Sequence, residues 1–155
     1  MALNDQSTRI RDGEELDVAI IDSYLKAHIP GLSGEPQISQ FPGGASNLTY
    51  LLEYPQQEFV LRRPPFGHKA KSAHDMGREY RILNQLNAGF PYCPKAYVHC
   101  TDESVIGAEF YVMQRVNGII LRADLPAELN FSPAQTSQLC KSFIDKLVEL
   151  HNVDY

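Results

Sequence analysis

Between residues 14 and 29 the apolar side chains Leu16, Ile20 and Tyr24, with Val18, Ile21 and Leu25 beside them, recur at helical spacing. Asp12-Gly13 ahead of this run suits a helix start. Two prolines and two glycines between Pro30 and Pro36 then end any helix. The next segments are short and β-prone. Residues 38–41, 48–54 and 59–63 carry branched and aromatic side chains, separated by the turn-forming stretch 42–47 and by Pro55-Gln56-Gln57. This predicts three strands in an antiparallel meander. Met76, Tyr80, Leu83 and Leu86 fall on one helical face, with Ser72 as N-cap and Gly89 where a terminal glycine belongs. Two further strands are expected at 96–100 and 110–116, joined by the polar turn 101–104. Ser132-Pro133-Ala134-Gln135 has capping-box spacing with proline at the first helical position. Leu139, Phe143, Leu147 and Leu150, with Ile144, continue that helix nearly to the last residue.

The predicted order is helix, three strands, helix, two strands, helix. That is an α+β arrangement, a five-stranded antiparallel sheet with one helix inserted after the third strand. Residues 1–13 are polar and read as a flexible arm. The sheet-bearing unit then spans 14–118, and 119–155 forms a linker and the last helix.

Composition changes this picture only by exclusion. Of 155 residues, 43% are hydrophobic and 21% charged, ordinary values for a chain with a packed core, which excludes disordered and fibrous classes. A net charge of −5 argues against nucleic acid as a partner, although a local basic patch of Arg62, Arg63, His68, Lys69 and Lys71 stands out. Three cysteines at irregular positions do not form a disulfide framework, so a reducing cytoplasmic setting is expected. No apolar run has the ~20 residues of a membrane helix, and no membrane association is expected.

Candidate chemistry begins at Gly43-Gly44-Ala45-Ser46-Asn47. Glycines in a turn between strands let backbone N–H groups approach a phosphate, and Ser46 and Asn47 add polar side chains. A plain hairpin turn is the competing reading. Alternation along the following strand places Val60 and Arg62 on one face and Phe59, Leu61 and Arg63 on the other. Arg62 can then meet the phosphates of a nucleotide under the turn, with Val60 against its base, unless both arginines simply face solvent at a sheet edge. Glu79 on the next helix can pair with the strand cation, or it can belong to a solvated face with Arg78 and Arg81. Cys93, His99 and Cys100 lack a fourth ligand at useful spacing, so they are read as structural and not as a metal site.

These parts, in this order, resemble the nucleotide-binding lobe of the protein-kinase-like superfamily, and within it the aminoglycoside phosphotransferase family. The likeness is strongest to the kinase-like domains fused to acyl-CoA dehydrogenases. It rests on residues 41–52, 59–65, 78–83 and 102–113 taken together. The resemblance implies a kinase-like N-lobe with a flanking C-terminal helix that leads toward a C-lobe. Phe59-Val60-Leu61-Arg62 falls where kinases carry Val-Ala-Ile-Lys, so Arg62 takes the place of the phosphate-binding lysine and Glu79 that of its helix partner. Arginine forks bidentately where lysine acts as a point charge. Residues 113–118 fall at the hinge between lobes. Met113 would be the gatekeeper, and the Gln114 C=O and Val116 N–H would bond adenine. The implied reaction moves the γ-phosphoryl of ATP to a small-molecule hydroxyl with Mg. A His-x-Asp catalytic loop is not found in the 155 residues, so catalytic residues and metal ligands are expected outside this stretch and the chain alone is expected to be inactive. The alternative is a non-catalytic kinase-like module that binds a nucleotide or another protein, with self-association through exposed lobe surface.

Overall fold

Helix α1 (Val18–His28) starts at Asp17, whose carboxylate accepts from the Ile20 N–H at 3.1 Å. Asp12-Gly13 instead makes a turn upstream, with Gly13 at φ +83°. The computed structural model describes residues 5–42, 47–67, 75–121 and 124–154. The buried stripe of α1 runs through Ile21 and Leu25, both fully buried, while Ile20 is 45% exposed. The face expected from Leu16, Ile20 and Tyr24 is therefore turned by about one residue, because the helix starts late and Ile21 and Leu25 are the pair aimed at the sheet.

Five strands follow the expected positions closely: β1 (Gln37–Gln40), β2 (Leu48–Glu53), β3 (Glu58–Arg63), β4 (Ala96–Cys100) and β5 (Phe110–Gln114). They form one sheet in the order β1-β2-β3-β5-β4, and every neighbouring pair is antiparallel. The last strand stops at Gln114, two residues before the expected end, so Arg115 and Val116 lie beyond it. Thr8 bridges to Gln40, and the Gln40 side chain accepts from the Arg11 N–H at 2.9 Å and donates to Glu14 at 2.6 Å.

Register decides what each face does. Leu48, Tyr50, Leu52, Phe59, Leu61, Phe110 and Val112 join Ile21 and Leu25 in the main core under α1. The opposite face carries Thr49, Leu51, Val60, Arg62, Tyr111 and Met113, aligned by the pairs Thr49↔Arg62, Leu51↔Val60, Arg62↔Tyr111 and Val60↔Met113. Helix α2 (Met76–Leu86) packs on β4 and β5. Its N-cap is Asp75, which accepts from the Arg78 N–H at 2.6 Å. The expected cap Ser72 lies outside the described residues. The helix ends through Asn87 in right-handed conformation, so Gly89 is not the left-handed terminal residue expected.

Arg63 is the unexpected member of the core side. It is 1% exposed, donating from Nη1 to the Ile106 C=O at 2.8 Å and from Nε to the Pro64 C=O at 3.1 Å, with its guanidinium 3.7 Å from the Phe66 ring centre. Burial draws this guanidinium below its ordinary pKa, opposed by the nearby Tyr50 and Glu14. Arg63 therefore leaves the basic patch expected of it, because the pleat that exposes Arg62 turns its neighbour inward. His68, Lys69 and Lys71, the remainder of that patch, lie outside the described residues.

A short 3-10 turn at Ala127–Leu129, not foreseen from the sequence, precedes α3 (Pro133–His151). The capping box forms as expected: Gln135 N–H donates to Ser132 Oγ at 3.3 Å and Ser132 N–H to Gln135 Oε1 at 2.9 Å. Among the described residues, no helix is long and apolar enough to cross a membrane.

Candidate functional site

The face opposite the core builds a site in two connected parts. One is a cavity of about 620 Å³. Val60 from β3, Thr49 from β2 and Met113 from β5 line it, together with Gln114 and Val116 just after the sheet. Phe41, Tyr92 and Ile119 complete its apolar wall. The volume suits a small organic ligand with a flat apolar portion. Arg115 lines the same cavity, its Nε 3.4 Å from the Glu58 carboxylate and its guanidinium 5.5 Å from the Phe41 ring centre. The end of β5 is closed against the start of β4, since Gln114 N–H donates to the Lys95 C=O at 2.8 Å and Gln114 Oε1 accepts from the Lys95 N–H at 3.3 Å.

The second part is polar and centres on Glu79. Its Oε1 accepts from Asn47 Nδ2 at 3.1 Å, and its Oε2 accepts from the Tyr111 hydroxyl at 2.8 Å. Arg62 Nη1 lies 3.5 Å from that same Oε2. The contact is an ion pair but too long for a strong hydrogen bond. The Arg62 Nε is buried without a hydrogen-bond partner. Burial, and then the bond to Glu79, push the Tyr111 phenol above its ordinary pKa.

Helix α2 delivers Glu79 to this place because its first turn lies close on the sheet. A Cβ at Gly77 would sit 3.2 Å from Glu109 Oε1 and 3.4 Å from His99 Cε1. His99 Nε2 is 2.7 Å from Glu109 Oε1, and the Tyr80 ring stacks on His99 with centroids 5.0 Å apart. His99 thus serves to seat α2. Among the described residues, no group of three or more His, Cys, Asp or Glu could hold a metal ion.

Of the residues singled out from sequence, Val60, Met113, Gln114 and Val116 meet at the cavity, while Asn47, Arg62 and Glu79 meet in the polar cluster. Gly43, Gly44 and Ser46 lie outside the described residues. Sequence reading missed Tyr111, Thr49, Phe41 and Arg115. Strand alternation from Met113 would have reached Tyr111, and hairpin register from Arg62 would have reached Thr49.

Comparison with known proteins gives a consistent result. Residues 37–155 match the model of the phosphotransferase enzyme family. The chain is 38% identical to acyl-CoA dehydrogenase family member 11 of Gallus gallus over 160 residues, which is 99% of this chain and 20% of that relative. Against the Homo sapiens protein of the same name it is 37% identical over 145 residues, 90% of this chain and 18% of the other. A probable acyl-CoA dehydrogenase of Arabidopsis thaliana, IBR3, is 31% identical over 159 residues, 97% of this chain and 19% of the other. The chain therefore spans about a fifth of the length of these relatives. A crystal structure from Ralstonia eutropha, assigned as an aminoglycoside phosphotransferase, superposes with a TM-score of 0.76 at 32% identity, covering 91% of this chain and 40% of that one.

Proposed function

The chain belongs to the phosphotransferase enzyme family, and from that premise we propose that it is the nucleotide-binding lobe of an enzyme passing the γ-phosphoryl of ATP to a small-molecule hydroxyl. The observation that carries this reading is the adjacency of the apolar cavity to the Arg62–Glu79 pair on one sheet face. Adenine has the flat, mostly apolar shape that Val60, Met113 and Phe41 would enclose. The Gln114 C=O and Val116 N–H would meet its polar edge. Arg62 would take the charge of the phosphates through donors that Glu79 leaves unsaturated. Gly43, Gly44 and Ser46, which fall between β1 and β2 in the sequence, would offer backbone N–H groups and a hydroxyl to the phosphates.

Phosphoryl transfer demands positioning and charge stabilisation more than covalent chemistry. This lobe would supply the positioning of the donor nucleotide. Magnesium, when bound, would neutralise phosphate charge, held by groups other than Arg62 and its neighbours in the polar cluster. The proton acceptor for the incoming hydroxyl would likewise come from elsewhere.

Titration calorimetry with Mg-ATP tests the reading. Binding is expected, and Arg62→Ala should weaken it by about tenfold or more, the loss of one charge-assisted contact. Val60→Arg, which fills the cavity with a cation, should abolish it. No binding of any nucleoside triphosphate, or full affinity in both variants, would overturn the proposal.

A further inference from the structure

Tyr111 belongs to none of the roles above, yet it is a buried tyrosine whose hydroxyl ends on the site's central carboxylate. It stands directly across from Arg62 in the β3–β5 pairing, so both side chains rise from the same sheet face toward Glu79. Its hydroxyl holds Glu79 Oε2 at 2.8 Å, while Arg62 Nη1 reaches that oxygen only at 3.5 Å. Asn47 holds the other oxygen at 3.1 Å. Two neutral donors therefore fix the carboxylate, and the cation is left with a long contact to Glu79, an interaction with the Tyr111 oxygen and a buried Nε that has no hydrogen-bond partner.

Two unshared groups would not settle this way. A guanidinium facing a free carboxylate forms a bidentate pair with two short parallel bonds. The tyrosine hydroxyl occupies one of the two oxygens that such a pair requires. We propose that Tyr111 is a positioning residue which, by holding Glu79 Oε2, keeps Arg62 oriented but unsaturated, so that its donors remain available to an anionic polyphosphate. The proposal deepens the nucleotide-binding reading and rests on it for the identity of the anion, but not for the partition of Glu79 between its donors.

The test uses Tyr111→Phe, which keeps the ring and removes only the hydroxyl. The Arg62 Nε–H resonance, followed by NMR without nucleotide, should shift on this change as the guanidinium closes onto the freed carboxylate. Mg-ATP affinity should fall by about threefold to tenfold, the range expected for one hydrogen bond. In a Glu79→Gln background, where no bidentate ion pair can form, the hydroxyl deletion should have no further effect on affinity. An unmoved Arg62 resonance overturns the proposal, as does unchanged or improved affinity, or effects of the two substitutions that simply add. If the wild-type chain binds no nucleotide, the functional reading fails instead, and the resonance still decides the role of Tyr111. A loss of cooperative unfolding in Tyr111→Phe would mark a purely structural tyrosine and would also overturn it.

Discussion

Arg62 and Arg63 are neighbours in sequence whose removal should have opposite consequences. Arg63→Ala deletes two hydrogen bonds from a charged donor, to the Ile106 and Pro64 carbonyls, and the stacking on Phe66. Bonds of that kind are worth about 1.5–3 kcal/mol each, and the ring contact adds about 0.5–2 kcal/mol. Against this, the substitution also removes the several kcal/mol that burying a cation costs. What remains is the void and the two stranded carbonyls, a net loss of about 2–3 kcal/mol. For a chain of 155 residues that lowers Tm by about 4–12 °C, at ~2–4 °C per kcal/mol. Arg63→Met, which refills the space without a charge to desolvate, should recover most of it. Arg62 is 31% exposed and its ion pair is long, so Arg62→Ala should cost less than about 1 kcal/mol. Calorimetric and urea unfolding of the three variants beside wild type make the measurement. If Arg63→Ala unfolds within about 0.5 kcal/mol of wild type, or Arg62→Ala proves the more damaging, the assignment of the two faces is wrong.

Two further outcomes follow from individual contacts. Glu14 is held below its ordinary carboxylate pKa, chiefly by the Gln40 amide; the folded state thus favours its ionised form, so this stabilisation is complete above the unfolded pKa and lost as pH falls through the folded one. Glu14→Gln should flatten the stability profile below about pH 4.5, and urea midpoints from pH 3 to 6 would expose an unchanged slope if the contact is inert. Gly34 sits at φ +79° with Pro55 Cγ only 2.8 Å from where a Cβ would stand. Gly34→Ala should therefore cost about 2 kcal/mol through both backbone strain and a rigid ring that cannot yield, and a neutral urea midpoint would contradict that geometry.

Strand positions were legible because turn residues bracket each apolar run, and α3 because Ser132 and Gln135 stand at capping-box spacing. The start of α1 was not, since Asp12 and Asp17 are equally good caps locally and only the sheet selects the register that buries Ile21 and Leu25. Alternation separated Arg62 from Arg63 but could not say which face was the core. The chemistry of Glu79 was visible in outline, as a carboxylate able to meet Arg62. Its bonds to Asn47 and Tyr111 were not, because they depend on how closely α2 approaches the sheet at Gly77. That approach is a tertiary fact with no short sequence signature.

The strand order β1-β2-β3-β5-β4 also sets a timetable for assembly. β1, β2 and β3 are joined by short connections and can zip locally at small entropic cost. β5 must instead find β3 across all the chain between Arg63 and Phe110, which includes α2 and β4. Contacts of large sequence separation form slowly because the loop must close before they repay it. Arg62 lies on one side of that closure, and Glu79, Tyr111 and Met113 on the other or within it. A nucleotide bound as proposed would meet that surface only after the β3–β5 pairing is complete, so it should act by slowing unfolding and leave the early folding steps unguided.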